Sequence, residues 1–173
     1  LYEARQALRS IDRLVVVEPG QIEVERTDLD DNLEPWEVLV ETEYSVISAG
    51  TEGAGFTGLV RQMPFGDSGK YPRGTGYGNV GRLLRAGDDV TGVQPGDRVL
   101  SFSHHASAVK ADTRRMVLPV SWDAPGKYLV FARMAGVSMS ALRSSSVQPG
   151  DTVLVVGGGL VGNFAAQLFR LAG

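Results

Sequence analysis

The stretch at 147–173, VQPGDTVLVVGGGLVGNFAAQLFRLAG, constrains the fold more than any other part of the chain. An apolar run at 152–156 enters a glycine turn and leaves it with apolar residues at helical spacing: Leu160, Val161, Phe164, Ala165, Leu168, Phe169 and Leu171. That order predicts strand, tight turn and helix. Gly157, Gly159 and Gly162 fall on the spacing GxGxxG. In such a turn the first glycine lets the chain reverse, the second admits a pyrophosphate close to the backbone, and the third lets the new helix pack against its strand. The phosphate would sit at the helix N-terminus, where unpaired N–H groups and the helix dipole favour an anion. Gly157, Gly159, Leu160, Val161 and Gly162 are therefore the predicted cofactor-binding residues, for NAD or NADP. The alternative is a structural glycine turn in some other α/β unit.

The position of this motif predicts the domain organisation. It normally opens a βαβ unit, with an acidic residue about 20 positions beyond the glycines to hold the ribose of NAD, and the sequence ends at Gly173. One strand and one helix do not make a Rossmann sheet. Residues 147–173 read as the incomplete start of a nucleotide-binding domain, in a fragment, a cropped chain or one partner of a larger assembly. Residues 1–127 then form a first domain and 128–146 a linking helix region. The strand that would distinguish NAD from NADP lies beyond these residues, so no preference follows.

The chain has 173 residues, 43% of them hydrophobic, enough for a globular domain with its own core. Lys plus Arg number 17 and Asp plus Glu 20, a net charge of -3, which argues against an electrostatic nucleic-acid binder. Arg114-Arg115 is too short to form such a patch. The absence of cysteine excludes disulfides, thiolate nucleophiles and Cys-containing zinc sites. No run has the apolar length of a membrane span, and the N-terminal residues lack a signal-peptide core, so the expected location is the cytoplasm without membrane partners. Glycine, 22 residues in all, is concentrated between Gly50 and Gly96, as in a barrel with tight turns.

Short strand patterns precede any long helix. The run at 14–17 ends at the turn pair Pro19-Gly20, and 21–26 alternates Ile22 and Val24 with Glu23 and Glu25, predicting a half-buried return arm of a hairpin. Residues 28–35 read as an acidic, solvated loop. The pattern at 37–47 is the longest strand, with Val38, Val40, Thr42 and Tyr44 on one face, and it runs into a small polar turn at 48–53. A short helix is expected at 55–63 and a glycine-rich loop at 64–78. Further strands are expected at 79–84, within 93–100, at 104–110 and at 115–120. Pro119 and Pro125 bracket an exit loop, and 128–142 reads as one helix.

These landmarks resemble the medium-chain dehydrogenase/reductase, or alcohol dehydrogenase-like, superfamily. The matching pieces are SAGTE at 48–52, GYGNVGRL at 76–83, PGDRV at 95–99 and PGDTVLVVGGGLVG at 149–162. The resemblance implies a chaperonin-10-like (GroES-like) β-barrel catalytic domain followed by the first strand and helix of an α/β Rossmann domain. It also implies an active-site cleft contributed by the barrel. Where the zinc-dependent members carry metal ligands, this chain has Ala49, Tyr77-Gly78 and, near the third position, Ala135. The four-cysteine structural zinc lobe is missing as well. The resemblance therefore points to a zinc-independent branch and to no metal, as in quinone and enoyl reductases or bacteriochlorophyll-type dehydrogenases.

Without a Lewis acid, hydride transfer relies on positioning and on a donor for the developing charge. Thr51 matches the family position whose hydroxyl relays a proton; a purely structural role in the turn is the alternative. Tyr77 occupies a metal-ligand position and suits a hydrogen-bond donor, with aromatic packing as the alternative. Ser48 is a weaker catalytic candidate, and Glu52 is expected to brace the turn. His104 and His105, the only histidines, are adjacent and so point apart on a strand, which favours packing or cleft lining over a shared metal. Arg61, Lys70 and Arg73 read as solvated loop charges, with anionic substrate or the 2'-phosphate of NADP as the other use.

The expected function is an NAD(P)-dependent oxidoreductase acting on a carbonyl, an alcohol or an activated C=C, without catalytic zinc. Two alternatives remain: a nucleotide-binding sensor or structural protein without turnover, and a reductase module of a multi-enzyme assembly. The expected partners are a small-molecule substrate and either a second copy or the rest of its own Rossmann domain.

Overall fold

A computed structural model describes residues 8–62 and 70–173, which fall into two compact units, Leu1–Val130 and Phe131–Gly173. The loop expected at 64–78 and the helix end expected at residue 63 lie partly outside the described residues, as does the Arg61 side chain.

The first unit holds two antiparallel sheets. Strands β1 (Leu8–Glu18) and β2 (Gln21–Asp30) form the predicted hairpin around Pro19-Gly20, where Gly20 takes φ 84°. The left-handed region suits glycine because it has no Cβ. The second sheet is built on β3 (Glu37–Ser45), followed in the chain by helix α1 (Ala49–Thr57) and a 3-10 turn at Leu59–Gln62. The short β4 (Arg73–Gly74) adds to β1, giving the order β2-β1-β4. With β5 (Asn79–Ala86), β6 (Arg98–Ser101), β7 (Ala108–Asp112) and β8 (Val117–Pro119), the larger sheet has the order β7-β3-β5-β6-β8. Residues 105–107 join the two sheets: Leu14 N–H donates to the His105 carbonyl (2.9 Å), Ser107 N–H to Asp12 (2.8 Å), and Thr42 N–H to Ser107 (3.0 Å).

The core of this unit is Val38, Val40, Leu83, Val99, Val109 and Ala111, all below one-tenth exposed. Leu39, on the opposite face of β3, is also buried, so this central strand is covered on both sides. Gly81 allows β5 to press against β3, since a Cβ there would lie 2.1 Å from the Glu41 carbonyl oxygen.

Several sequence expectations shift. The β2 strand is not half-buried: Ile22 is 46% and Val24 68% exposed. Among the described residues it is an edge strand paired only with β1, and Ile22 lines an open cavity with Ile47 and Phe56 rather than a packed core. It also runs to Asp30, into the expected loop. The turn expected at 48–53 is instead the start of α1, because Ser48 takes the extended N-cap conformation and its N–H donates to Glu52 Oε1 (2.6 Å), closing the first turn. The strand expected at 104–110 begins only at Ala108, because the two histidines are held in a loop by residues 74–76. The helix expected over 128–142 divides into α2 (Gly126–Leu129), which starts after Pro125, and α3 (Ala132–Ser144).

The second unit contains α3 and α4 (Leu160–Leu171). The two helices meet through Phe131 and Phe164, whose ring centroids are 6.5 Å apart, and through Ser138 Oγ, which donates to the Val161 carbonyl (2.8 Å). Residues 152–156, expected as a strand, carry no ladder among the described residues, and Leu154 and Val156 are 85% and 89% exposed. A strand is defined by its partners, and none of the described residues pairs with this segment.

Candidate active site and nucleotide-binding turn

In the first unit the site grows from the end of β3 and the first turn of α1. Glu52 is turned back toward its own N-cap by the Ser48 N–H bond. Its other oxygen, Oε2, accepts from Thr75 Oγ1 (2.6 Å) and lies 2.8 Å from His105 Nε2. His105 Nδ1 in turn lies 2.7 Å from Ser45 Oγ, so both ring nitrogens are engaged. The imidazole is buried and the carboxylate nearly so. Burial pushes the Glu52 carboxyl up, but the hydrogen bonds from His105, Thr75 and the Ser48 N–H outweigh it and hold the group below the usual value. Glu52 is therefore an anchored anion that pairs helix to loop, in keeping with its expected bracing role.

Gly76 makes this clasp possible. It takes φ 93°, and a Cβ on it would lie 2.6 Å from the His105 backbone nitrogen. The Thr75 carbonyl accepts the His105 N–H (2.8 Å). His104 turns the other way: its side chain is exposed, its ring lies over Gly74, and Nδ1 is 2.9 Å from the Gly76 carbonyl oxygen. The adjacent histidines do point apart, but from a loop.

Thr51 and Tyr77 come together in the wall of one cavity of about 110 Å³, with Arg73, Thr75 and His104. Ser48 stays outside that lining, buried at the cap of α1. A second, more apolar cavity of about 230 Å³ shares Glu52 and Thr75 with the first and is walled also by Leu14, Val16, Ile47 and Phe56. Lys70 is exposed. The pairing of His105 with Glu52 was not legible in the sequence; its only trace was two histidines side by side in a chain with no others.

The family's catalytic zinc does not fit the residues present. Ala49 opens α1, Tyr77 and Gly78 precede β5, and Ala135 sits in α3. Alanine and glycine side chains carry no donor atom, and zinc takes thiolate, imidazole or carboxylate ligands. No cluster of three or more His, Asp or Glu side chains suited to a metal occurs among the described residues.

In the second unit the three fingerprint glycines divide the work as a dinucleotide turn requires. Gly157 takes φ 101°, closed to most side chains. Gly162 packs so closely that a Cβ would lie 1.9 Å from the Gly157 carbonyl oxygen. Gly159, the N-cap of α4, faces open space, with nothing within 4 Å of where its Cβ would stand. Its carbonyl accepts the Asn163 N–H (2.8 Å), while the N–H groups of Leu160 and Val161, in the first turn, have no acceptor within the helix. Reversal, room for a ligand and close packing are thus assigned to separate glycines, and these residues fit a pyrophosphate.

No family model matches the chain. The fold is found in solved structures. It aligns with a Sinorhizobium meliloti protein assigned as a zinc-binding dehydrogenase and solved with NADP bound, at TM-score 0.79 and 20% identity, covering 95% of this chain and 54% of that one. A quinone oxidoreductase from Coxiella burnetii aligns at TM-score 0.77 and 20% identity, over 95% of this chain and 55% of the other. The chain has the medium-chain dehydrogenase/reductase fold. In sequence, it is 32% identical over 157 residues to the 2-desacetyl-2-hydroxyethyl bacteriochlorophyllide A dehydrogenase of Cereibacter sphaeroides, covering 80% of this chain and 46% of the relative. The chain spans less than half the length of the curated relatives it matches.

Proposed function

We propose that the full-length protein is an NAD(P)-dependent oxidoreductase that moves a hydride between a nicotinamide and a carbonyl or alcohol, or an activated C=C, without catalytic zinc. In this reading the sheets of the first unit are a GroES-like barrel that carries the substrate cavity, and residues 147–173 open the Rossmann domain. The observation that carries it is the division of labour among Gly157, Gly159 and Gly162. The relatives named as dehydrogenases and oxidoreductases, one of them with NADP bound, support it. Thr51 and Tyr77 would face the substrate, and Ser48 and Glu52 would hold the turn that presents Thr51. Zinc independence rests on the residues at positions 49, 77 and 78. A cytoplasmic location, a small-molecule substrate and a homo-oligomeric state belong to the same proposal; among the described residues no helix is long and apolar enough to cross a membrane.

The test is fluorescence titration of the full-length protein with NADH and NADPH, together with metal analysis of the purified protein. Binding of either nucleotide by a zinc-free protein supports the reading. Failure of both to bind overturns it, and stoichiometric zinc required for turnover overturns the metal-free part alone.

A further inference from the structure

We infer that His104 is a catalytic residue of the proposed site, its Nε2 exchanging the proton of the substrate oxygen. The inference rests on the oxidoreductase reading and adds a residue that the sequence reading assigned to packing or cleft lining. His104 Nδ1 lies 2.9 Å from the Gly76 carbonyl oxygen. A carbonyl only accepts, so Nδ1 carries the hydrogen, and the lone pair of the neutral ring is on Nε2. The ring is held over Gly74, where a Cβ would lie 3.6 Å from its Cγ, and the chain behind it is pinned by the His105 N–H bond to Thr75. It lines the same cavity as Thr51 and Tyr77. His105, by contrast, has both ring nitrogens committed to Ser45 and Glu52 and has none to offer.

In the oxidative direction the substrate hydroxyl proton moves to Nε2. The electron pair of that O–H bond becomes the second carbon–oxygen bond. The hydrogen on that carbon would leave with its pair to the oxidised nicotinamide of a dinucleotide held by Gly157, Gly159 and Gly162, which would supply the hydride acceptor, and an imidazolium remains. Reduction runs the same transfers backwards. The titratable groups facing His104 in this cavity are Glu52, Arg73 and Tyr77. On its other side, in a cavity of about 390 Å³, they are Arg13, Glu37, Lys110, Asp112 and Arg115.

The experiment compares full-length wild type with His104→Gln in the NADPH-dependent reduction of phenanthrenequinone across pH, with nucleotide affinity followed by fluorescence. The expected result is unchanged NADPH affinity, a kcat lowered about a hundredfold, loss of the histidine limb of the pH profile, and partial rescue by added imidazole. An unchanged kcat and pH profile would overturn the inference. Long-range proton–nitrogen NMR of the wild type supplies a readout independent of turnover: a protonated Nδ1 with a bare Nε2 is expected, and the opposite tautomer overturns the inference. Failure of the wild type to bind either NADH or NADPH defeats the oxidoreductase reading itself, a result distinct from these.

Discussion

Glu52 Oε2 and His105 Nε2 lie 2.8 Å apart although 53 positions separate them in the chain. This one contact ties the first turn of α1 to the loop before β7. Because Thr75 and the Ser48 N–H converge on the same carboxylate, three separate segments depend on it.

Replacing Glu52 with Gln leaves those donors facing a neutral group and removes the charge that pairs with His105. A loss of about 2–3 kcal/mol in unfolding free energy of the full-length protein is expected, measured by urea denaturation.

The same carboxylate makes stability depend on pH. Its native pKa is depressed below the ordinary 4.5, so the unfolded chain binds the proton first as pH falls. The contribution is present in full above the ordinary value and is lost as pH drops through the lowered native one. Wild type should therefore lose stability more steeply than Glu52→Gln below about pH 4.5; parallel curves from acid titration of the unfolding midpoint would contradict this.

Gly76 and Gly20 both have positive φ, but only Gly76 is crowded. Gly76→Ala adds a clash with His105 to the backbone strain and should cost about 3 kcal/mol, whereas Gly20→Ala should cost about 1 kcal/mol. Chemical denaturation of the two variants side by side checks the difference.

The fingerprint glycines are separable in the same way. Gly159→Ala meets nothing within 4 Å and should leave the melting temperature nearly unchanged while weakening NADH or NADPH binding about tenfold, or about 1.4 kcal/mol, by intruding on the phosphate. Gly162→Ala drives a Cβ into the Gly157 carbonyl and should lower both stability and affinity. Thermal melts paired with nucleotide titrations of the full-length protein distinguish the two.

Leu83 is 1% exposed in the core between β3 and its neighbours. Leu83→Ala should cost about 3 kcal/mol through lost transfer energy and the cavity left behind, with nucleotide affinity unchanged; equilibrium unfolding and fluorescence titration measure the two.

What the sequence determined by itself was whatever is written in neighbouring residues. Pro19-Gly20 between apolar runs specified the hairpin, and the spacing of Gly157, Gly159 and Gly162 ahead of an amphipathic run specified the turn and α4, because short-range sterics and periodicity set both. Tertiary structure decided the rest. Whether Ile22 and Val24 are covered, and whether 152–156 finds a ladder, depends on what lies beside them, which alternation of residue types does not encode. The different fates of His104 and His105 depend on segments far earlier in the chain: Gly76 lies 28 positions before His104, and Glu52 and Ser45 lie 53 and 60 before His105. Only the fold brings a carbonyl to one ring and a carboxylate to the other: among the described residues one ring nitrogen of His104 and both of His105 have a hydrogen-bond partner.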